Sequence, residues 1–143
     1  MTTKATKKIL FIDDEPYMQY IVKACLEKFA GWEVVVAKSG LEGIIKAETE
    51  KPDAILLDGM MPEMNGIICL QKLQLNPKTQ SLPVIFLTAK WSLTEPHRFL
   101  ELGAVGAIAK PFDPLTLVTK MTKILGWSVE DLKAEFSKNN DTC

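Results

Sequence analysis

One histidine and three cysteines among 143 residues are few, and their scarcity removes several chemistries at once. Cys25, Cys69 and Cys143 are an odd number at wide spacing, with no CxxC pair and no clustered histidines. Neither a disulfide framework nor a zinc site is therefore indicated. Cys25 and Cys69 read instead as small core residues, the usual habit of a free cysteine. His97, alone within "EPHRF", lacks the neighbours that a metal ligand or phosphodonor would need and reads as a surface residue. No apolar run approaches the ~20 residues of a membrane-spanning helix. The Lys-rich start "MTTKATKK" also lacks the apolar segment of a signal peptide, because the following "ILFI" is cut short by Asp13. The expected location is cytoplasmic. With a formal net charge of −1 there is no basic excess to favour nucleic acid, and no low-complexity tract favours disorder. The absence of GxGxxG, or of any Gly/Ser/Thr-rich loop after the first apolar run, argues against a nucleotide or flavin binder.

What is present is a repeat of short apolar runs separated by helical patterns. The runs are "KILFI" (8–12), "WEVVVA" (32–37), "DAILL" (53–57), "PVIFL" (83–87) and "VGAIA" (105–109). Each has strand length, and three are nearly continuous in apolar character, which suits strands covered on both faces by helices. Between them, Tyr17 to Ala30 carries Met18, Ile21, Val22, Cys25, Leu26 and Phe29 at helical spacing and stops before Gly31. Ser39 and Glu42 resemble a capping box opening a second helix to about Thr49, and a third is expected from Gly66 to Leu75. Thr94 and Pro96 start a short fourth helix closed by Gly103, and Asp113 with Pro114 starts a fifth that ends at Gly126. The order is βα repeated five times, an α/β fold with a doubly wound parallel sheet. Ligands of that architecture bind beyond the carboxyl ends of the strands.

The predicted strand ends carry Asp13 and Asp14, Asp58, Thr88, and Lys110 followed by Pro111. Three carboxylates gathered on one edge repel one another unless a cation neutralises them. A hard divalent ion such as Mg²⁺, held by one or two carboxylates and completed by water and phosphate oxygens, answers that need. With a lysine and a hydroxyl beside it, such a site is built to stabilise a transferring phosphoryl group with a carboxylate as nucleophile.

The acidic pair in "FIDDEP", the segment "LLDGMMPEMNG", the hydroxyl segment "FLTAK" and "AIAKPFDP", in that order, resemble the receiver domain of bacterial response regulators in two-component signalling. The resemblance covers about residues 7–125, with residues 1–6 a flexible start and 126–143 an extension. It implies a flavodoxin-like (βα)5 sheet in the order 2-1-3-4-5. It also implies that Asp58 accepts the phosphoryl group from a phosphohistidine on a sensor histidine kinase or histidine phosphotransfer protein. Asp14 and Asp58 would then hold Mg²⁺ directly, Asp13 would act chiefly through a metal-bound water, and the backbone carbonyl of Met60 would supply a further ligand. Thr88 would donate to a phosphoryl oxygen, Lys110 would pair with the phosphoryl group or with Asp58, and the Lys110–Pro111 bond is expected to be cis. Pro62 and Gly66 would shape the loop after Asp58, and Glu15 would cap the first helix.

The family usually carries an aromatic residue three positions before the strand-five lysine, and here that position is Ala107. A response by ring rotation at 107 is thereby excluded. The hypothesis is that activation rearranges residues 88–102, and unchanged amide exchange there on binding beryllofluoride would count against it. In this family the positions two after the acceptor and two after the hydroxyl flank the phosphoryl site. Here they are Met60 and Lys90, neither an amide or acid placed to orient water, so the resemblance implies a persistent aspartyl phosphate. A lifetime no longer than that of a Met60→Asn variant would defeat this expectation.

The tail "GWSVEDLKAEFSKNNDTC" pairs Ser128 with Asp131 as a capping box and sets Val129, Leu132 and Phe136 on one face, the pattern of a short amphipathic helix. It reads either as an extension folded onto the domain or as a docking or dimer-forming element. The leading expectation is a stand-alone receiver that signals by phosphorylation-dependent protein contact, with homodimerisation left open. It is a signalling protein rather than an enzyme, with no direct nucleic-acid or membrane partner. The alternative is a small phosphotransferase or phosphatase that uses Asp58 on a diffusible substrate.

Overall fold

The computed structural model describes residues 6–59, 64–89 and 96–127. Ten elements alternate along it: β1 (Lys8–Ile12), α1 (Pro16–Ala30), β2 (Glu33–Ala37), α2 (Gly40–Glu50), β3 (Ala54–Asp58), α3 (Gly66–Leu75), β4 (Val84–Ala89), α4 (Pro96–Glu101), β5 (Gly106–Lys110) and α5 (Pro114–Leu125). The strands form one sheet, every pair parallel, in the order β2-β1-β3-β4-β5. β1 and β3 are central, which explains their unbroken apolar character. Successive side chains of a strand point to opposite faces, and here both faces are dry. Ile9, Phe11, Leu56, Ile85, Leu87 and Ile108 pack with Val22 and Leu26 of α1 and Leu117 and Met121 of α5. Leu10, Ile12, Ile55, Leu57, Val84 and Phe86 pack with Ala47, Cys69, Leu70, Leu73 and Phe99 on the opposite side. Cys25 and Cys69 lie in these two cores, as expected.

Boundaries depart from the sequence reading by one or two residues for identifiable reasons. β2 begins at Glu33 because Trp32 is diverted to close α1, its N–H donating to Leu26 O at 3.4 Å. Its ring is buried against the edge of Trp127, with centroids 5.2 Å apart. β3, β4 and β5 each run one or two residues further than their apolar runs, so Asp58, Thr88 and Lys110 sit within the ladder rather than after it. The helix starts are capped locally. Glu15 accepts from Met18 N–H at 3.1 Å, Ser39 from Glu42 N–H at 3.1 Å, Asn65 from Ile68 N–H at 3.0 Å, and Asp113 from Leu115 N–H at 3.0 Å. In α2 the reciprocal bond of the capping box is displaced, since Glu42 accepts from Lys38 N–H at 2.6 Å rather than from Ser39. The tail residues Val129, Leu132 and Phe136 lie outside the described residues, as do Met60, Pro62 and Lys90. His97 is placed in α4 by its backbone alone.

Candidate phosphoryl-acceptor site

Every chemically notable side chain comes from the carboxyl edge of the sheet. β1 ends at Ile12, but Asp13 still donates its N–H to Ala37 O at 3.0 Å, so the chain stays inside the molecule for one more residue. Asp13 is fully buried as a result, while Asp14, next along, is exposed. α1 holds Asp13 from the other side, through Gln19 Nε2 donating to Asp13 O at 2.7 Å and Glu15 N–H donating to Asp13 Oδ1 at 2.9 Å. Asp58 closes β3 and is buried, and Lys110 of β5 reaches across to it, with Nζ 3.2 Å from Asp58 Oδ1. The same Nζ lies 3.6 Å from Asp13 Oδ2. Thr88 is buried on β4, and a Cβ placed on Gly59 would sit 3.2 Å from its Oγ1, so the hydroxyl lies directly beside the backbone that follows Asp58. The Lys110–Pro111 peptide is cis.

Among the described residues the carboxylates outnumber the cations at this edge. One carboxylate oxygen from each of Asp13, Asp14 and Asp58 lies within 4.8 Å of the others. Lys110 forms ion pairs with Asp13 and Asp58. Asp13 Oδ2 is buried and has no hydrogen-bond partner among the described residues, a costly state for an ionised oxygen. Burial pushes the Asp13 carboxyl up to about 6 from its ordinary 3.8. The nearby charges of Asp58 and Asp14 add to this, while the Glu15 N–H bond and Lys110 oppose it. An orphaned carboxylate oxygen facing two further carboxylates, all hard oxygen donors, fits a hard divalent cation.

Close backbone approach around Asp58 depends on glycine. A Cβ on Gly66 would fall 2.7 Å from Asp58 O, 2.7 Å from Phe86 Cε1 and 2.9 Å from Gly59 Cα, two of them backbone atoms with no freedom to yield. Gly66→Ala is predicted to destabilise the fold by about 2–3 kcal/mol, the scale of overpacking a tight interior. Urea denaturation with an unchanged midpoint would refute that contact.

The five positions expected at the strand ends are thus brought together within one edge. Sequence reasoning missed Gln19, Asn65 and Phe86. A glutamine six residues beyond Asp13 carries no spacing signal, and Phe86 reads only as part of an apolar run. Asn65 had a signal, an amide immediately before the first helical residue, in the usual N-cap position.

A parallel five-stranded sheet in this order, with an acidic pocket on its carboxyl edge, is the architecture of chemotaxis-type receivers. The chain belongs to the response regulator receiver domain family, whose pattern matches residues 9–122. It is 36% identical over 118 residues to the protein PilH of Pseudomonas aeruginosa, covering 82% of this chain and 97% of that one. It is 38% identical over 136 residues to the alkaline phosphatase synthesis transcriptional regulatory protein PhoP of Bacillus subtilis, covering 94% of this chain but 55% of PhoP. The chain therefore spans about half the length of some curated relatives it matches and nearly all of another. Among solved structures, the chemotaxis response regulator CheY4 of Vibrio cholerae superposes with a TM-score of 0.77 at 29% identity, covering 84% of this chain and 99% of CheY4. The receiver domain of sensor histidine kinase PA1611 from Pseudomonas aeruginosa, with magnesium coordinated in its active-site cleft, does so with a TM-score of 0.75 at 28% identity, covering 85% of this chain and 99% of that one. Receiver domains are signalling modules that bind Mg²⁺ at an acidic pocket, and Asp13, Asp14 and Asp58 form an acidic cluster in this chain. Among the described residues no helix is long and apolar enough to cross a membrane.

Proposed function

We propose that Asp58 accepts a phosphoryl group from a phosphohistidine on a sensor kinase or histidine phosphotransfer protein, and that the protein signals through contacts that depend on this modification. The observation that carries the reading is the grouping of three carboxylates within 4.8 Å, with Lys110 Nζ 3.2 Å from Asp58 Oδ1. Asp14 and Asp58 would hold Mg²⁺ directly, Asp13 would hold a metal-bound water through its orphaned Oδ2, and the Met60 carbonyl would add a ligand. When bound, the ion would supply positive charge to the oxygens of the transferred phosphoryl group.

In transfer, an Asp58 carboxylate oxygen forms the new P–O bond as the P–N bond to the donor imidazole breaks. The bonding pair returns to the imidazole nitrogen, and a proton already on the other ring nitrogen lets the donor leave as neutral imidazole rather than as imidazolate. Asp58 is held in place before the donor arrives, because Lys110 donates to one of its oxygens. Lys110 then shifts to the phosphoryl oxygens, and the Thr88 hydroxyl donates to another of them. Donors fixed in advance where charge accumulates lower the barrier without a reorganisation cost.

Residues 7–125 would act as the receiver unit, located in the cytoplasm, and 126–143 as an appended segment. Phosphoramidate, whose P–N bond imitates phosphohistidine, tests the acceptor. Incubation with Mg²⁺ is expected to add one acid-stable, hydroxylamine-labile phosphoryl group, mapped to Asp58 by mass spectrometry. Modification at another residue, or none, would defeat the reading.

A further inference from the structure

The ring of Phe86 lies where the acceptor site meets α4. Phe86 is fully buried on β4 two residues before Thr88, so the two side chains share one face of the strand. A Cβ on Gly66 would lie 2.7 Å from Phe86 Cε1, and one on Gly59 would lie 3.8 Å from its Cδ1. The ring thus packs closely against Gly66 and lies near Gly59. The same ring packs on Phe99 of α4, with centroids 4.7 Å apart and planes inclined at 39°. Its register partner on β5 is Ala107, which presents one methyl group where a large side chain would wedge the ring in place.

α4 itself is only six residues long, too short to be stable without tertiary contacts. Its carboxyl end is tied to α3 by Gln74 Nε2, which donates to Leu102 O at 2.9 Å. Phe99 is buried beside Phe86, while its neighbour Leu100 is 53% exposed. Among the described residues, the Phe86–Phe99 ring pair links this short helix to β4 beside the site, so the rings constrain how it can turn. Turning it would re-aim Leu100 at the surface.

We propose that the Phe86–Phe99 ring pair is the coupling element of this receiver, passing a change in the backbone at Gly59 and Gly66 to α4. The inference rests on the acceptor reading of Asp58. In a close-packed interior a displaced ring finds another packed arrangement rather than a void. Movement of the backbone on which Phe86 rests therefore obliges Phe99 to follow. Ala107 in turn leaves no ring at that position to carry the signal.

The test is amide hydrogen exchange at residues 96–102 of the full chain, with and without Mg²⁺ and beryllofluoride. Wild-type protein is expected to bind beryllofluoride and change exchange there by about threefold or more. Phe99→Leu should bind it with an affinity within about twofold of wild type while losing at least about half of the ligand-dependent change. Simple loosening of α4 would raise exchange with and without the ligand alike and leave the ratio intact. Phe99→Met, which retains more volume, serves if the leucine variant does not fold. A full wild-type ratio in the variant, or no ratio in a wild type that binds beryllofluoride, overturns the coupling role alone. A wild type that binds no beryllofluoride overturns the acceptor reading and the coupling with it.

Discussion

Asp58→Asn is expected to reduce phosphoryl incorporation from phosphoramidate to background while leaving the fold intact. The amide matches the carboxylate in shape, and its oxygen can still accept from Lys110 Nζ, now 3.2 Å from Asp58 Oδ1. What disappears is the nucleophile, because an amide oxygen neither carries the charge nor forms a stable mixed anhydride. The substitution also removes one of three mutually repelling carboxylates, so thermal unfolding should not fall. Lys110→Met should act differently. It keeps the nucleophile but withdraws the positive charge, and incorporation is expected to slow by about 10²–10³-fold, the usual effect of deleting one preorganised electrostatic contact. Incorporation by Asp58→Asn at a rate near that of wild type would place the acceptor elsewhere. Equal loss in both variants would mean that Lys110 does more than stabilise charge.

The second large effect concerns stability. Because the folded-state carboxyl of Asp13 is raised to about 6 from 3.8, the folded protein binds more protons than the unfolded chain between those values. Stability without metal is therefore expected to fall as pH rises from about 4 to about 6, and the whole penalty is present at neutral pH. Asp13→Asn removes the buried charge, retains an oxygen for the Glu15 N–H bond, and forfeits the attraction to Lys110. The net expectation is a gain of about 1–2 kcal/mol for the metal-free protein at pH 7, read by urea denaturation. Millimolar Mg²⁺ should stabilise the wild type through preferential binding to the folded state and do much less for the variant. A variant less stable than wild type without metal, or equally stabilised by Mg²⁺, would remove Asp13 from the metal site.

The fold was legible to a large degree because its strands are covered on both faces. Continuous apolar runs at β1 and β3, punctuated by Pro and Gly and separated by helical stripes, leave little choice but a parallel sheet with helices on both sides. Boundaries were less legible. Trp32 has high strand propensity yet leaves β2 to close α1 and pack against Trp127, a preference that exists only once α5 is in place. The extension of the three later strands through Asp58, Thr88 and Lys110 was hidden for a similar reason. Polar residues end an apolar run, but ladder hydrogen bonds continue wherever a neighbouring strand offers partners, as Leu87 does for Asp58 and Ala109 for Thr88.

At the site, the sequence by itself determined the cast: an acidic pair after the first strand, one acid after the third, a hydroxyl after the fourth and a lysine after the fifth. Residue type and order sufficed because parallel strands with right-handed crossovers deliver all their carboxyl ends to one edge. Only the tertiary structure decided how the members differ. Asp13 and Asp14 are adjacent and chemically identical, yet one more backbone hydrogen bond keeps Asp13 buried with an orphaned oxygen, while Asp14 emerges into solvent. Phe86 was one apolar residue among several until the approach of Gly59, Gly66 and Phe99 made it a contact between the backbone that follows Asp58 and α4. Burial and adjacency are properties of the packed chain, set by distances between segments far apart in sequence, and no local pattern encodes them.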